Sequence, residues 1–355
     1  MLIERERLEQ LLAKFSEVRI AVVGDFFLDR YWDIDPALDE ASVETNLAAW
    51  QVVGVQRSPG AAGTVTANLA ALGVGHISTV GFCGEDGEGF ELQSCLDQLG
   101  VSGEHLHQTP HRVTPCYTKP MRNGVEMNRV DIKNRKPTPP GIEGQIIASI
   151  DALVTSRQPV DAIVVMDQVS EENCGVVTDK VREHLIEIGR TRRSPLIYAD
   201  SRERIGQFRE MIIKCNDREA LEQFGLYNGK QPVSPDVLRQ CGFQLTQRTG
   251  HAVFITVGSQ GQLLFEPEKS QQNATHIPAV TVEGEIDICG AGDATSAALV
   301  ASLCAGATLV EAAMIGNLAA SVTIRKIGQT GTASPAEILD AYKGKRLQTS
   351  DFRPQ

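Results

Sequence analysis

The chain has 355 residues, 42% of them hydrophobic, and its 34 basic and 45 acidic residues give a net charge of −11. The acidic excess argues against an electrostatic nucleic-acid binder, the charges within residues 1–20 argue against a signal peptide, and no apolar stretch is long enough to cross a bilayer. The eight cysteines lack zinc-type spacing, so we expect reduced thiols in a cytoplasmic protein with neither a nucleic-acid nor a membrane partner.

Strand-like and helix-like patterns alternate along the chain. Continuous apolar runs, typical of strands covered on both faces, lie at 19–24, 77–81, 161–166, 195–199 and 252–257. Helical patterns lie at 64–73, 89–100, 142–155, 173–189 and 234–241, and capping boxes begin further helices at Thr308 and Ser334. This alternation predicts an α/β fold, a mainly parallel sheet between two helical layers, in one domain over residues 1–355.

Two segments, approximately 32–58 and 114–133, interrupt the alternation. The second contains Asn123-Gly124 between two extended stretches, which is a strong hairpin signal. We expect both segments to form a small β-strand lid over the carboxyl ends of the parallel strands, and a face of this lid to form a homodimer contact. The second segment is basic, and of its cations we single out Arg129, which lies on a strand close to Asp131.

The segment 288–306, ICGAGDATSAALVASLCAG, carries the strongest functional signal. Gly290, Ala291 and Gly292 are small enough for successive backbone N–H groups to converge on a ligand, and the apolar run after them predicts a buried helix. A helix N-terminus favours an anion. Asp293 in such a pocket favours phosphoryl transfer, with its carboxylate accepting the proton of the attacking hydroxyl. The alternative is an ordinary N-cap aspartate.

Two upstream features suit a hydroxylated ligand. Asp25 closes the first strand and Asp29 follows four residues later, and carboxylates just past a parallel strand can accept hydrogen bonds from alcohol groups. Asp25 could equally cap the turn that follows it. The small-residue turn 58–63 precedes a helix and allows a ligand to approach the backbone closely.

Two later features suit a nucleotide. Asn216 and Glu219 follow a strand-like run, and a spacing of three places them on one helical face, where they could hold Mg²⁺-bound water and phosphate oxygens. The segment 256–261, TVGSQG, predicts a strand that runs into a tight glycine turn. The open backbone of such a hairpin could accommodate a nucleotide.

The order GD, PGAAG, NDRE, TVGSQG and DICGAGD resembles the PfkB (ribokinase-like) family of carbohydrate kinases over roughly residues 18 to 342. Within it the chain is most similar to the D-glycero-beta-D-manno-heptose-7-phosphate kinase branch, through VVGDFFLDRYW (22–32), NRVD (128–131) and residues 316–338. The resemblance implies a ribokinase-like three-layer αβα fold with a β-strand lid. It also implies ATP- and Mg²⁺-dependent phosphorylation of a hydroxyl on a sugar or sugar phosphate.

The resemblance also implies roles for individual residues. Asp293 would be the general base, with Gly290, Ala291 and Gly292 as the anion hole. The sugar would be addressed by Asp25, Asp29, Gly60, Thr64 and Arg129. The nucleotide site would contain Asn216, Glu219, Thr256, Gly258, Gly261 and, near the adenine, Asn317. Glu219 would approach Mg²⁺ through water, and Asp287 falls where some members bind a monovalent cation such as K⁺.

The chain departs from the family pattern mainly in the turn expected to bind sugar. Members usually carry PGGAAN there, whereas this chain has Ala61 in place of the second glycine and Thr64 in place of the asparagine. Where members often have aspartate-proline-lysine after a mid-sheet strand, this chain has Asp200-Ser201-Arg202. The catalytic motifs are therefore intact while the sugar-recognition motifs are altered.

Two other functions are weighed against a kinase. The altered turn motivates a catalytically silent member that binds nucleotide and sugar as a regulator, although the intact Asp293 turn argues against it. A dinucleotide oxidoreductase is disfavoured because the first strand ends in Gly24-Asp25 without the G-x-G-x-x-G fingerprint.

Overall fold

The structure is a computed structural model that describes residues 3–192, 194–227, 229, 234–269, 274–328 and 330–342. The single domain predicted over residues 1–355 therefore includes stretches outside the described residues, as does the motif 316–338 at position 329. The helices are α1 (Arg5–Ala13), α2 (Ala62–Ala71), α3 (Gly87–Gln98), α4 (Pro140–Thr155), α5 (Asp179–Thr191), α6 (Asp217–Glu222), α7 (Pro235–Thr249), α8 (Ala291–Cys304), α9 (Leu309–Thr323) and α10 (Pro335–Tyr342).

The strands divide between a large sheet and smaller ones. They are β1 (Arg19–Gly24), β2 (Phe26–Ile34), β3 (Glu40–Ala41), β4 (Ala48–Ala49), β5 (Val52–Ala61), β6 (His76–Gly84), β7 (Ser102–Thr109), β8 (Cys116–Arg122), β9 (Val125–Glu126), β10 (Val130–Ile132), β11 (Ala162–Asp167), β12 (Leu196–Ser201), β13 (Ile212–Asn216), β14 (Val253–Thr256), β15 (Gln262–Phe265) and β16 (Thr275–Ile277). In the described residues the large sheet has the order β16-β15-β14-β13-β12-β11-β1-β6-β7. The seven strands from β14 to β7 in this spatial order pair in parallel. β15 pairs antiparallel with β14, and β16 pairs antiparallel with β15.

Helices cover both faces of this sheet. Because side chains alternate along a strand, Ile20 and Val22 of β1 pack into one core with α2, α8 and α9, while Ala21 and Val23 pack into the other with α4, α5 and α7. Burial on both faces explains why β1 is a continuous apolar run. The predicted three-layer αβα fold with a mainly parallel sheet is confirmed.

A second sheet, in the order β10-β8-β2-β5 with β9 paired to β8, forms the lid. The Asn123-Gly124 hairpin is confirmed: Arg122 pairs with Val125, and Asn123 (φ 53°) and Gly124 (φ 77°) both adopt the positive φ of a tight two-residue turn. The lid begins at Phe26, six residues before the predicted segment, because β2 pairs with β5 along almost its whole length.

The carboxyl ends of five adjacent parallel strands meet at one edge of the large sheet. In spatial order these ends are Thr256, Asn216, Ser201, Asp167 and Gly24. Ligands in open α/β sheets bind at this edge, and it is the edge from which the lid strands continue. No helix among the described residues is long and apolar enough to cross a membrane.

Candidate active site

Asp25 lies in the wall of a pocket just past β1. Its Oδ2 accepts from the backbone N–H groups of Gln168 (2.9 Å) and Val169 (3.1 Å), and its Oδ1 accepts from that of Val176 (2.7 Å). The carboxyl therefore holds the segment after β11 in place. It does not cap the turn that follows Asp25 itself, which was the alternative. Burial, reinforced by Asp167, raises the pKa of Asp25 to about 6.

The pocket beside Asp25 is closed by the lid. Phe27 and Tyr117 contribute from β2 and β8, in an edge-to-face contact with ring centroids 5.2 Å apart. Lys133 from the lid and Arg202 from the end of β12 also line the pocket. Phe26 and Phe82 add two more aromatic rings, and Glu171 adds a second carboxyl beside Asp25. Aromatic rings with a few carboxyls and cations form a lining suited to a polar, hydroxylated molecule, and the two cations suit an anionic group on it.

Asp29 and Gly60 are diagonal neighbours across the β2–β5 pair of the lid, where Asp29 lies opposite Ser58 and Gly60 opposite Phe27. A Cβ at position 60 would overlap the Asp29 carboxylate and displace it, so the glycine permits this close approach. Lys119 lies 3.4 Å from Asp29 Oδ1 and donates to the Tyr31 hydroxyl at 2.9 Å. Burial raises the pKa of Asp29 while Lys119 opposes the shift.

The turn at Ala61 brings α2 against the glycine turn of α8. Ala61 has φ +53° and ψ −116°, a conformation that glycine adopts far more readily than any L-residue. Thr64 is buried, and its Oγ1 donates to the Pro59 carbonyl at 3.3 Å. Its methyl group lies 3.6 Å from where a Cβ on Gly290 would be, so the two predicted turns are in contact.

The residues Gly290 to Asp293 form the start of α8. Gly290 is the N-cap, with φ +77°, and a Cβ there would be 2.8 Å from the Thr330 methyl group. Asp293 therefore occupies the third helical position, and the N-cap alternative for this aspartate is wrong. Its half-buried carboxylate has no hydrogen-bond partner among the described residues. It is available to a ligand at the end of a helix whose dipole favours anions.

The electrostatic surroundings of Asp293 suit proton transfer near neutral pH. Burial and the neighbouring Asp200 raise its pKa to about 7, against the opposing effects of Lys214 and Arg202. A general base is most effective when its pKa is close to the working pH.

Asn216 and Glu219 meet at the start of α6. The Asn216 side chain accepts from the Glu219 N–H at 2.7 Å, and Glu219 Oε2 accepts from the Asn216 N–H at 2.8 Å. Glu219 Oε1 has no hydrogen-bond partner among the described residues. Burial and Asp200 raise the pKa of Glu219, so this carboxyl can serve a cation or water without leaving its cap.

Thr256, Gly258 and Gly261 border the β14–β15 hairpin. A 3₁₀ turn spans Gly258–Gln260, and Gly261 has φ +95° with Ile277 crowding the position of any Cβ. Asn317 lies behind this hairpin on α9. Its Oδ1 accepts from Gln262 Nε2 (2.7 Å), and its Nδ2 donates to the Ile277 (3.2 Å) and Pro278 (2.9 Å) carbonyls. Asn317 therefore holds the hairpin in place through protein contacts.

Asp287 joins two loops. Its Oδ1 accepts from the Cys289 N–H at 2.9 Å, and its Oδ2 accepts from the Gly328 N–H at 3.2 Å. Among the described residues, no group of three or more His, Cys, Asp or Glu side chains is arranged as a metal cage. Any cation beside Asp287 or Glu219 would therefore take most of its ligands from backbone, water or phosphate oxygens.

Arg129 was expected on a strand but lies immediately before β10, and its side chain is engaged by Asp131 of that strand. It makes a bidentate pair with Asp131 (2.6 and 2.9 Å), and its guanidinium lies 4.6 Å from the centroid of the Tyr117 ring. Tyr117 lines the pocket, whereas Arg129 is not among the lining residues. In contrast, Lys133 and Arg202 line the pocket with no carboxylate within 4.0 Å among the described residues.

Sequence reasoning missed a buried polar group behind α8. Lys214 Nζ lies 2.6 Å from Asp200 Oδ2, and Ser296 links Asp200 to α8. The one signal in the sequence is a lysine inside the otherwise apolar start of β13, IIKC. Its partners come from distant segments, which a local pattern does not reveal.

Solved structures share this fold. Ribokinase from Arabidopsis thaliana, complexed with ribose and ATP, aligns with a TM-score of 0.66 at 16% identity, covering 92% of this chain and 99% of that one. Phosphofructokinase-2 from Escherichia coli, in complex with fructose-6-phosphate, aligns with a TM-score of 0.68 at 16% identity, covering 92% and 98%.

Sequence relatives extend over nearly the whole chain. The bifunctional protein HldE of Trichlorobacter lovleyi is 29% identical over 348 residues, and that of Caulobacter vibrioides is 30% identical over 336. The matches cover 95% and 94% of this chain but 65% of each relative, so the chain spans about two thirds of their length. The model of the pfkB family carbohydrate kinases matches residues 20–337. The protein belongs to the pfkB family of carbohydrate kinases.

Proposed function

We propose that this carbohydrate kinase transfers the γ-phosphoryl group of ATP to a hydroxyl of a sugar or sugar phosphate, with Asp293 as general base. The observation that carries the proposal is the Asp293 carboxylate, unpartnered among the described residues, with a pKa of about 7, at the N-terminus of α8. In-line transfer requires positioning and charge stabilisation more than covalent chemistry.

In this mechanism the lid and Asp25 hold the sugar. Asp25 and Asp29 accept hydrogen bonds from its hydroxyls, and closure of the lid excludes water that would otherwise compete as acceptor. Asp293 removes the proton as the hydroxyl oxygen attacks. The N–H groups of Gly290, Ala291 and Gly292 stabilise the charge on the phosphoryl group in transfer.

The edge formed by β13, β14 and the β14–β15 hairpin would bind ATP. Thr256, Gly258 and Gly261 leave the backbone open there, Asn317 fixes the hairpin, and Asn216 lies beside the phosphates. Mg²⁺ bound to those phosphates would supply charge neutralisation, and Glu219 Oε1 would hold one of its water ligands. Asp287 is proposed to fasten a loop that offers backbone oxygens to K⁺.

The substrate is proposed to carry a phosphate already. Lys133 and Arg202 are the two pocket cations with no carboxylate within 4.0 Å in the described part of the chain, and Arg129 supports them by stacking on Tyr117. A bound phosphate is favoured where cations have no competing partner. The resemblance to heptose-7-phosphate kinases points to the same class of substrate.

A homodimer through the lid is proposed from its exposed apolar side chains. Val53 and Val55 share one side of β5, and Val130 and Ile132 share one side of β10; their exposed fractions are 61%, 39%, 59% and 38%. Apolar groups exposed at this density favour burial against a second copy. Sedimentation of the full chain tests the association, and a monomer at all concentrations would contradict it.

The silent regulator remains the second candidate, motivated by the strained sugar turn at Ala61. A coupled ADP-release assay over sugars, sugar phosphates and nucleosides separates the two. We expect turnover with at least one sugar or sugar phosphate and the highest kcat/KM with a phosphorylated sugar. Nucleotide binding with no turnover across the whole panel would favour the regulator.

A further inference from the structure

Lys214 carries a buried ammonium group beside Gly292, one of the three residues of the proposed anion hole. Its side chain is 7% exposed and its Nζ lies 2.6 Å from Asp200 Oδ2. On the other side, a Cβ added to Gly292 would lie 3.1 Å from Nζ. The absence of a side chain at Gly292 therefore leaves room for the ammonium group beside it.

The ion pair is fastened to the first turn of α8. The Ser296 hydroxyl is 3.2 Å from Asp200 Oδ2 and 3.0 Å from the Gly292 carbonyl oxygen, and it accepts from the Tyr198 hydroxyl at 2.8 Å. Tyr198 is fully buried. Asp200 thus holds Lys214 in a fixed position relative to Gly292.

We infer that Lys214 is an electrostatic component of the phosphoryl-transfer site, which holds an ammonium group beside Gly292 of the proposed anion hole. This inference rests on the proposed role of Asp293. Buried ion pairs contribute little net stability because of desolvation, so stability does not explain the pair. A charge fixed in a half-buried site, however, stabilises a transferring phosphoryl group without reorganisation during the reaction.

The pair also controls the proton acceptor. The charged groups that face Asp293 come from three elements: Asp200 from β12 and Arg202 just past its end, Lys214 from β13, and Asp29 from β2. Those that face Lys214 are Asp200, Tyr198 and Glu219. Asp200 raises the pKa of Asp293 and Lys214 lowers it. Removal of Asp200 should therefore lower this pKa, and removal of Lys214 should raise it.

The test compares Lys214→Met, Asp200→Asn and the double variant by ADP release and thermal unfolding. Lys214→Met should lower kcat about 100-fold, the typical loss for one donor of an anion hole, and move the acid limb of kcat/KM to higher pH. Asp200→Asn should move that limb to lower pH. The double variant contains no unpaired buried charge, so it should unfold near the wild-type temperature and remain slow.

A double variant with wild-type kcat would make Lys214 purely structural and overturn the inference, as would acid limbs that shift in the same direction. If Lys214→Met does not fold, Gly292→Ala provides a second route, since its methyl group would push Nζ away by a few tenths of an ångström. This variant should lose at least tenfold in kcat with an unchanged unfolding temperature, and unchanged kcat would refute the inference. If the proposed role of Asp293 is wrong, the result is different, because Asp293→Asn would then retain turnover.

Discussion

Asn216 and Glu219 each accept the backbone N–H of the other, at 2.7 and 2.8 Å, at the carboxyl end of β13. This reciprocal cap fixes the Glu219 carboxyl through Oε2, and Oε1 has no hydrogen-bond partner in the described part of the chain. Substitution of each residue therefore separates the capping function of the pair from its proposed function at the Mg²⁺–ATP site.

Glu219→Gln should impair the use of Mg²⁺ with little effect on folding. The glutamine oxygen can still accept from the Asn216 N–H, but the charge that would hold a Mg²⁺-bound water is lost. We expect the Mg²⁺ concentration for half-maximal activity to rise about tenfold. Asn216→Ala is the matched control for the cap and should lower the free energy of unfolding by about 1 kcal/mol. A Glu219→Gln enzyme with unchanged Mg²⁺ dependence would rule out the water-mediated contact.

The pH dependence of kcat/KM should show an acid limb near pH 7. Asp293 accepts a proton only when ionised, and its pKa is raised to about 7, so activity is full above this pH and falls tenfold per unit below it. The Glu219→Gln enzyme is the control and should retain the same limb. A wild-type profile that stays flat from pH 8 to about 5.5 would show that the base is a group of lower pKa.

Ala61→Gly should stabilise the protein. Ala61 holds φ +53° and ψ −116°, a strain of about 1–3 kcal/mol for a residue with a Cβ, while glycine loses about 0.5–1 kcal/mol in chain entropy. We expect the free energy of unfolding to rise by about 1 kcal/mol in denaturant titration. Ala62→Gly, at a neighbouring helical position, should be destabilising, and a similar effect of both substitutions would contradict the argument.

Removing the pocket cations should discriminate between substrates. Lys133→Ala and Arg202→Ala should each raise KM about tenfold or more for a phosphorylated sugar and change it less than twofold for the unphosphorylated one, because a charged hydrogen bond is worth about 1.5–3 kcal/mol. Arg57→Ala is the control, because Arg57 lies on lid strand β5 and pairs with Glu91 at 3.0 Å outside the pocket lining; it should affect neither. Equal effects on both sugars would show that Lys133 and Arg202 do not bind a substrate phosphate.

Local sequence patterns predicted the elements whose residues carry their own signal. The apolar run 19–24 is β1 itself, the Asn-Gly turn forms a hairpin, and the capping box at Thr308 begins α9 through both of its hydrogen bonds. The small apolar residues after Asp293 form a helix that is buried on every side from Ala294 to Ser302. Each of these features depends on neighbours in sequence.

What the sequence did not reveal depends on distant contacts. β7, SGEHLHQT, is too polar to be recognised as a strand, and it forms because β6 offers a parallel edge. The Lys214–Asp200 pair joins two strands and is fixed by Ser296 of a third segment. The roles of the lid cations also depend on distant contacts, because the structure pairs Arg129 with Asp131 and places Lys133 and Arg202 in the pocket lining.

The central claim concerns the Asp293 carboxylate, and turnover of Asp293→Asn tests it most directly. This variant keeps the shape of α8 and removes only the proton acceptor, so kcat for ADP release should fall by about 10²–10⁴ while the Kd for ATP changes less than threefold. If Asp293→Asn retains near-wild-type kcat with the same substrate, Asp293 is not the base and the account is wrong.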